Sequence, residues 1–97
     1  MRACTFSKLA EADLAAILDY TADSWGTAQA EAYLDGFAEC FSRLAKTPGL
    51  GRACDQLHPG LKRMEHGKHV VFFRPTRSGI RIVRILHQRM LPGRHLL

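Results

Sequence analysis

The side chains best equipped for chemistry lie in the second half of the chain. Arg63, Arg74 and Arg84 are cations within or beside apolar stretches, and His87 follows Arg84 by three residues. These four groups would suit metal-free cleavage of a phosphodiester, in which one group activates a hydroxyl, another protonates the leaving oxygen and cations hold the phosphate. His87 has a simpler reading as a structural histidine at a strand end, and that reading is preferred. His66 and His69 flank a tight turn and face each other across it, but two imidazoles with no carboxylate or thiolate third do not make a metal site. Cys4, Cys40 and Cys54 are an odd number with no C-x-x-C spacing, which excludes a disulfide framework and a zinc knuckle and leaves core packing as their role. Ser7, Ser24, Ser42 and Ser78 have no nucleophile-elbow context. Neither a metal, a cofactor nor a catalytic residue is therefore expected.

Ninety-seven residues, 46% hydrophobic and 24% charged, read as one globular domain over 1–97. No apolar run reaches the roughly 18 residues of a membrane span, and the first residues do not resemble a secretion signal, so a cytoplasmic protein with no membrane contact is expected. The net charge of +5 divides unevenly. Residues 1–50 carry four Lys/Arg against seven Asp/Glu, a net of −3, whereas residues 51–97 carry ten against two, a net of +8. The cationic half invites an anionic partner, either nucleic acid or an acidic protein segment.

The elements that must position these groups follow from period and punctuation. Residues 3–6 form a short first strand, and Ser7 is a good N-cap. From Leu9 to about Ser24, Leu14, Ile17, Leu18, Thr21 and then Trp25 recur at helical offsets, with Tyr20 on an adjoining stripe. Trp25 and Tyr20 are assigned to the core, with a partner hot spot as the alternative. Gly26 ends that helix and Thr27 is read as the cap of a second one, running to about Lys46, whose seam is Ala30, Leu34, Phe37, Phe41 and Leu44. Pro48, Gly49 and Gly51 stop it. Leu61–Glu65, Val70–Arg74 and Ile80–His87 read as strands, the first two joined by a turn with Gly67 at its first central position, as a type II′ hairpin prefers. The expected fold is α+β: a short N-terminal strand, an antiparallel helical hairpin, then a three-stranded antiparallel meander.

Strict alternation makes both faces of that sheet apolar, and two helices cover only one. The other would carry Val70, Phe72, Ile82 and Leu86 interrupted by Arg74 and Arg84, with Arg63 beside them. This is read as a partner-binding groove. The alternative is that the first strand and the tail 88–97 fold over that face. Arg84, inside an apolar strand, calls for an anionic partner or a hydrogen-bonded site.

The order of these signals resembles the ParE family of toxins from bacterial type II toxin–antitoxin modules, within the RelE/ParE superfamily. The resemblance is carried by Ser7, Ala12-Asp13-Leu14, Ile17 and Tyr20, then Trp25-Gly26, Ala30 and Tyr33-Leu34. It continues through Leu44, Pro48 and Gly51-Arg52 to Leu61-Lys62-Arg63, Val71-Phe72-Phe73-Arg74 and Val83-Arg84-Ile85-Leu86-His87. It implies a RelE/ParE-like fold and a toxin that poisons DNA gyrase by binding. It also implies a ParD-like antitoxin whose acidic, flexible C-terminal segment wraps the toxin. On this reading Arg63, Val70, Phe72, Arg74, Ile82, Arg84 and Leu86 meet the antitoxin, and the basic tail with His87, Arg89, Met90 and Arg94 meets the target.

The alternative within the same superfamily is a RelE-like, ribosome-dependent mRNA endonuclease. Its pattern of several basic residues plus a tyrosine near the C-terminus is not matched, since Tyr20 and Tyr33 both fall in the helices. The two helices are net acidic and offer no basic recognition face, so direct nucleic-acid binding by this chain alone is not expected.

Overall fold

A computed structural model describes residues 3–96. The chain runs β1 (Ala3–Phe6), α1 (Lys8–Trp25), α2 (Thr27–Lys46), a 3₁₀ turn (Pro48–Leu50), β2 (Arg52–Ala53), β3 (Lys62–His66), β4 (His69–Thr76), β5 (Gly79–His87) and a second 3₁₀ turn (Pro92–Arg94). Ser7 caps α1, its Oγ accepting from the Ala10 amide at 3.0 Å. Gly26, at φ 94°, ends α1 and also occupies the N-cap of α2; Thr27 is the first helical residue and makes no side-chain cap. The conformation suits glycine and lets the two helices fold back on each other.

The sheet order is β1-β5-β4-β3-β2, with β1 parallel to β5 and the remaining pairs antiparallel. The α+β class and the order of strand, hairpin and meander agree with the sequence reading. The meander is extended by the two-residue β2, which the Gly-rich stretch after Pro48 concealed, and Arg52 there pairs with Arg63 of β3. The main core lies between helices and sheet. Phe37, Phe41 and Leu44 of α2 pack on Val71, Phe73, Ile80, Ile82 and Ile85, and Phe6 meets Phe41 edge-on with ring centroids 5.3 Å apart.

Alternation fails at one place. Phe72 pairs with Arg84 but Phe73 pairs with Ile82, so Val83 is the extra residue of a β-bulge. The bulge reverses the parity of β5. Ile80, Ile82 and Ile85 all face the helices, whereas Leu86 joins Val70 and Phe72 on the opposite face. The expected grouping of Ile82 with Val70, Phe72 and Leu86 is thereby corrected.

The bulge lies where β1 has ended, and the start of α1 satisfies it. The Ser7 amide donates to Ile82 O at 2.9 Å and its hydroxyl to Val83 O at 2.6 Å. Asp13 then accepts the Ile85 amide at 3.0 Å while receiving a two-pronged bond from Arg84, Nε to Oδ2 at 2.7 Å and Nη2 to Oδ1 at 2.9 Å. Arg84 Nη1 donates to His95 O in the tail at 2.7 Å. The Arg84 and Asp13 side chains are only 14% and 15% exposed, and the hydrogen bond to Asp13 raises the guanidinium pKa further, so the pair is permanently ionic at Arg84. The anion that Arg84 calls for is thus the chain's own carboxylate. Arg84→Met or Asp13→Asn should each cost about 3 kcal/mol of stability, because each strands the other half-buried group. Urea unfolding of the two single variants and of the double variant measures this, and the double variant should lose less than the sum of the singles.

Candidate functional site

A cleft opens between the helical hairpin and the β3–β4 turn, and close backbone approaches form it. Gly67 has φ 56° and Lys68 does not leave the ordinary region, the pattern of a type II′ turn. A Cβ on Gly67 would lie 2.7 Å from Tyr33 Oη, and one on Gly36 would lie 3.0 Å from the His66 ring. These two glycines let the hairpin settle on α2. His66 and His69 pair across the turn, as the sequence spacing implied. Tyr33 Oη sits 2.6 Å from His69 Nδ1, and the His69 and His87 rings meet edge-to-face at 5.3 Å. Burial lowers the His69 pKa, and the neighbouring His87 and His66 lower it further; burial likewise lowers His66 and raises the Tyr33 phenol.

The cleft encloses about 810 Å³. Ile17, Tyr20 and Trp25 of α1 form one wall and Lys68, His69 and His87 the other, with Tyr33 between them. Among the described residues no carboxylate lines it. Tyr20 and Trp25 are 69% and 73% exposed, which corrects their assignment to the core. Helical spacing put Trp25 on the stripe of Leu14, Ile17 and Thr21 and Tyr20 on the adjoining one, but α1 fully buries only Ala10, so both stripes are open at its C-terminal end. The contact of Tyr33 with His69 spans 36 residues of sequence and has no local signature.

The remaining candidates lie elsewhere. Val70, Phe72 and Leu86 do share the face away from the helices, but they are no more than 5% exposed, packed under Cys54, Leu57, Leu61, Val83 and Leu96. The open groove expected there is filled by the loop after β2 and by the tail, and Ile82 is buried on the other face. Arg63 reaches the rim, its guanidinium 5.6 Å from the centre of the Phe72 ring and bonded to Glu65 at 3.1 Å. Burial pushes the Glu65 carboxyl up, but the hydrogen bonds from Arg52 and Arg63 outweigh it and the net shift is downward. Arg74 donates to Pro59 O at 2.8 Å and to His58 Nδ1 at 2.7 Å. Arg89, Met90 and Arg94 are exposed on the tail, and His87 Nδ1 accepts the Arg89 amide at 3.1 Å. Arg63, Arg74, Arg84 and His87 therefore serve separate partners. The three cysteines are free, and among the described residues no group of three or more His, Cys, Asp or Glu is placed to hold a metal ion. No described helix is long and apolar enough to cross a membrane.

A parallel N-terminal strand, a helical hairpin and an antiparallel sheet in this order define an α+β domain of the RelE/ParE-like kind. Its backbone superposes on a chain of the chromosomal ParDE toxin–antitoxin system of P. aeruginosa with a TM-score of 0.73 at 25% identity, covering 90% of this chain and 96% of that one. The family described as the ParE toxin of the type II toxin–antitoxin system parDE matches residues 4–92. The chain is 45% identical over 91 residues to Toxin ParE1 of Mycobacterium tuberculosis, covering 93% of each. It is 37% identical over 98 residues to Toxin ParE1 of Caulobacter vibrioides, covering 99% of each. The chain belongs to the ParE toxin family of type II toxin–antitoxin systems.

Two outcomes follow from the cleft. Trp25→Ala should change folding stability by less than about 0.5 kcal/mol in a urea titration, because the ring is mostly in solvent. His66 and His69 have folded pKa values below their unfolded value of 6.5, so the unfolded state binds more protons in the window just below pH 7. Stability should therefore fall as pH drops from 7.5 to 5.5, and His69→Gln should flatten that slope in denaturant midpoints taken across the range.

Proposed function

We propose that this ParE-family chain is a non-enzymatic, cytoplasmic toxin that acts by binding DNA gyrase and is held inactive by a ParD-like antitoxin. The observation that carries the proposal is the cleft: exposed Tyr20 and Trp25 face Lys68, His69 and His87, with no acid among the lining residues. Exposed aromatics beside cationic and N–H donor groups are the surface on which a protein segment docks, since rigid rings supply apolar area and the donors orient an acidic chain. Family membership supports the toxin role, and the resemblance implies gyrase as target and the antitoxin as partner. The antitoxin is expected to run from this cleft toward Arg63 and Arg74. Val70, Phe72, Ile82, Arg84 and Leu86 would support that surface from within rather than touch the partner, given their burial and the engagement of Arg84 by Asp13.

Separation of the arginines also favours binding over RNA cleavage. A metal-free ribonuclease needs its cations and its acid or base to converge on one phosphate. Here Arg84 is tied to Asp13, Arg74 to His58 and Arg63 to Glu65.

Purified toxin added in parallel to a gyrase supercoiling and cleavage assay and to a translating ribosome extract should inhibit gyrase and leave messenger RNA intact. Position-specific cuts in the message with unaffected gyrase would overturn the proposal. The exposed tail supplies the target contact, with His87 and Met90 beside it, so Arg89→Glu combined with Arg94→Glu should weaken gyrase inhibition about tenfold or more while leaving the melting temperature within a few degrees of wild type.

A further inference from the structure

The cleft holds two imidazoles whose Nδ1 atoms are both already engaged, and this fixes which ring nitrogen faces a ligand. His87 Nδ1 accepts the Arg89 backbone amide at 3.1 Å, so in the neutral ring the proton resides on Nε2. Tyr33 has one hydroxyl proton and two acceptors in reach, His66 O at 3.4 Å and His69 Nδ1 at 2.6 Å. We assign it to the short contact, which makes His69 Nδ1 the acceptor in the neutral ring. With that assignment the neutral His69 ring carries its proton on Nε2. Two Nε2–H donors with rings 5.3 Å apart thus stand beside Lys68. A metal ion is disfavoured by the same tautomers, because its ligand nitrogen must be free of a proton.

We infer that this corner of the cleft is a carboxylate-binding site, formed by His69 and His87 with Lys68, that receives an aspartate or glutamate of the antitoxin segment while a neighbouring apolar residue of that segment lies against Tyr20 and Trp25. Charge complementarity selects this occupant. Besides each other, the titratable and charged groups around the two imidazoles are Tyr20 from α1, Tyr33 from α2, His66 and Lys68 from the β3–β4 hairpin, and Arg89 at the start of the tail; among the described residues none is a carboxylate. The apolar wall of Ala16, Ile17, Tyr20 and Trp25 favours a peptide over a polynucleotide or a free anion, either of which would leave it uncovered. The inference rests on the antitoxin reading above and adds a consequence to it. At His69, where Tyr33 can turn its hydroxyl to His66 O and accept from Nδ1–H, a bound carboxylate stabilises the histidinium, so complex formation takes up a proton and affinity rises as pH falls through the His69 pKa of the complex toward that of the free toxin, whereas the Arg89 amide occupies His87 Nδ1 and leaves that ring an Nε2–H donor.

Calorimetric titration of the full-length toxin with its purified full-length antitoxin at pH 8 and pH 6 tests this. Affinity should rise about tenfold for each unit by which the carboxylate raises the histidine pKa, and the slope should vanish in His69→Gln/His87→Gln, whose amides keep a donor but do not titrate. Melting curves establish that the variants fold, and long-range ¹H–¹⁵N spectra of the wild-type imidazoles read the tautomers without any substitution. Tight binding with no pH slope, an Nδ1–H tautomer at either histidine, or displacement of the antitoxin by inorganic phosphate or a short RNA overturns the carboxylate site and leaves the antitoxin reading intact. Failure to bind the antitoxin at any pH overturns both.

Discussion

The fold turns on the junction of Arg84 with Asp13. β1 covers the edge of β5 only as far as Ile82, and beyond it the bulge at Val83 would leave carbonyls and an amide facing an apolar layer. Ser7 and Asp13 supply the missing partners, and Arg84 neutralises the carboxylate while also bonding the tail at His95. Such a cluster is costly to bury piecemeal and stable only when complete. It sets the position of α1 on the sheet, and α1 carries one wall of the cleft at its far end. A substitution at the junction therefore acts on the cleft without touching it.

Charge is distributed to match. The acidic residues reside mostly on the helices, while arginines populate the sheet and tail, and Arg52, Arg63, Arg74 and Arg84 of the sheet have internal partners. The histidine-lined cleft and the exposed cations of the tail meet at His87 and Arg89. A partner seated in the cleft would lie next to one seated on the tail.

Much of this architecture is legible in the residues. Ser7, Gly26 and Pro48 punctuate the helices, and the β-branched run of β5 and the Gly67 turn locate the strongest strands. Three features are not. The bulge at Val83 has no sequence mark, and strict alternation carried across it sends Ile82 to the wrong face. Trp25 follows the same period as the buried Ala10 and Tyr20 the adjoining stripe, yet both surface. The need of Arg84 for an anion is readable from its apolar strand, yet its satisfaction by Asp13, 71 positions away, is a property of the assembled fold. Pattern reports local environment well, and long-range closure poorly.

The parallel pairing of β1 with β5 has a consequence for how the chain is born. Ser7 bonds Val83 across a separation of 76 residues, and the first strand has no partner until Gly79–Ile82 exists. During synthesis the helical hairpin can form early from local contacts, but the layer it packs on, and the histidine that completes the cleft, arrive at the very end. The domain is therefore translated almost in full before it can assemble, and a truncated nascent product lacks both the closing strand and the histidine wall of the cleft.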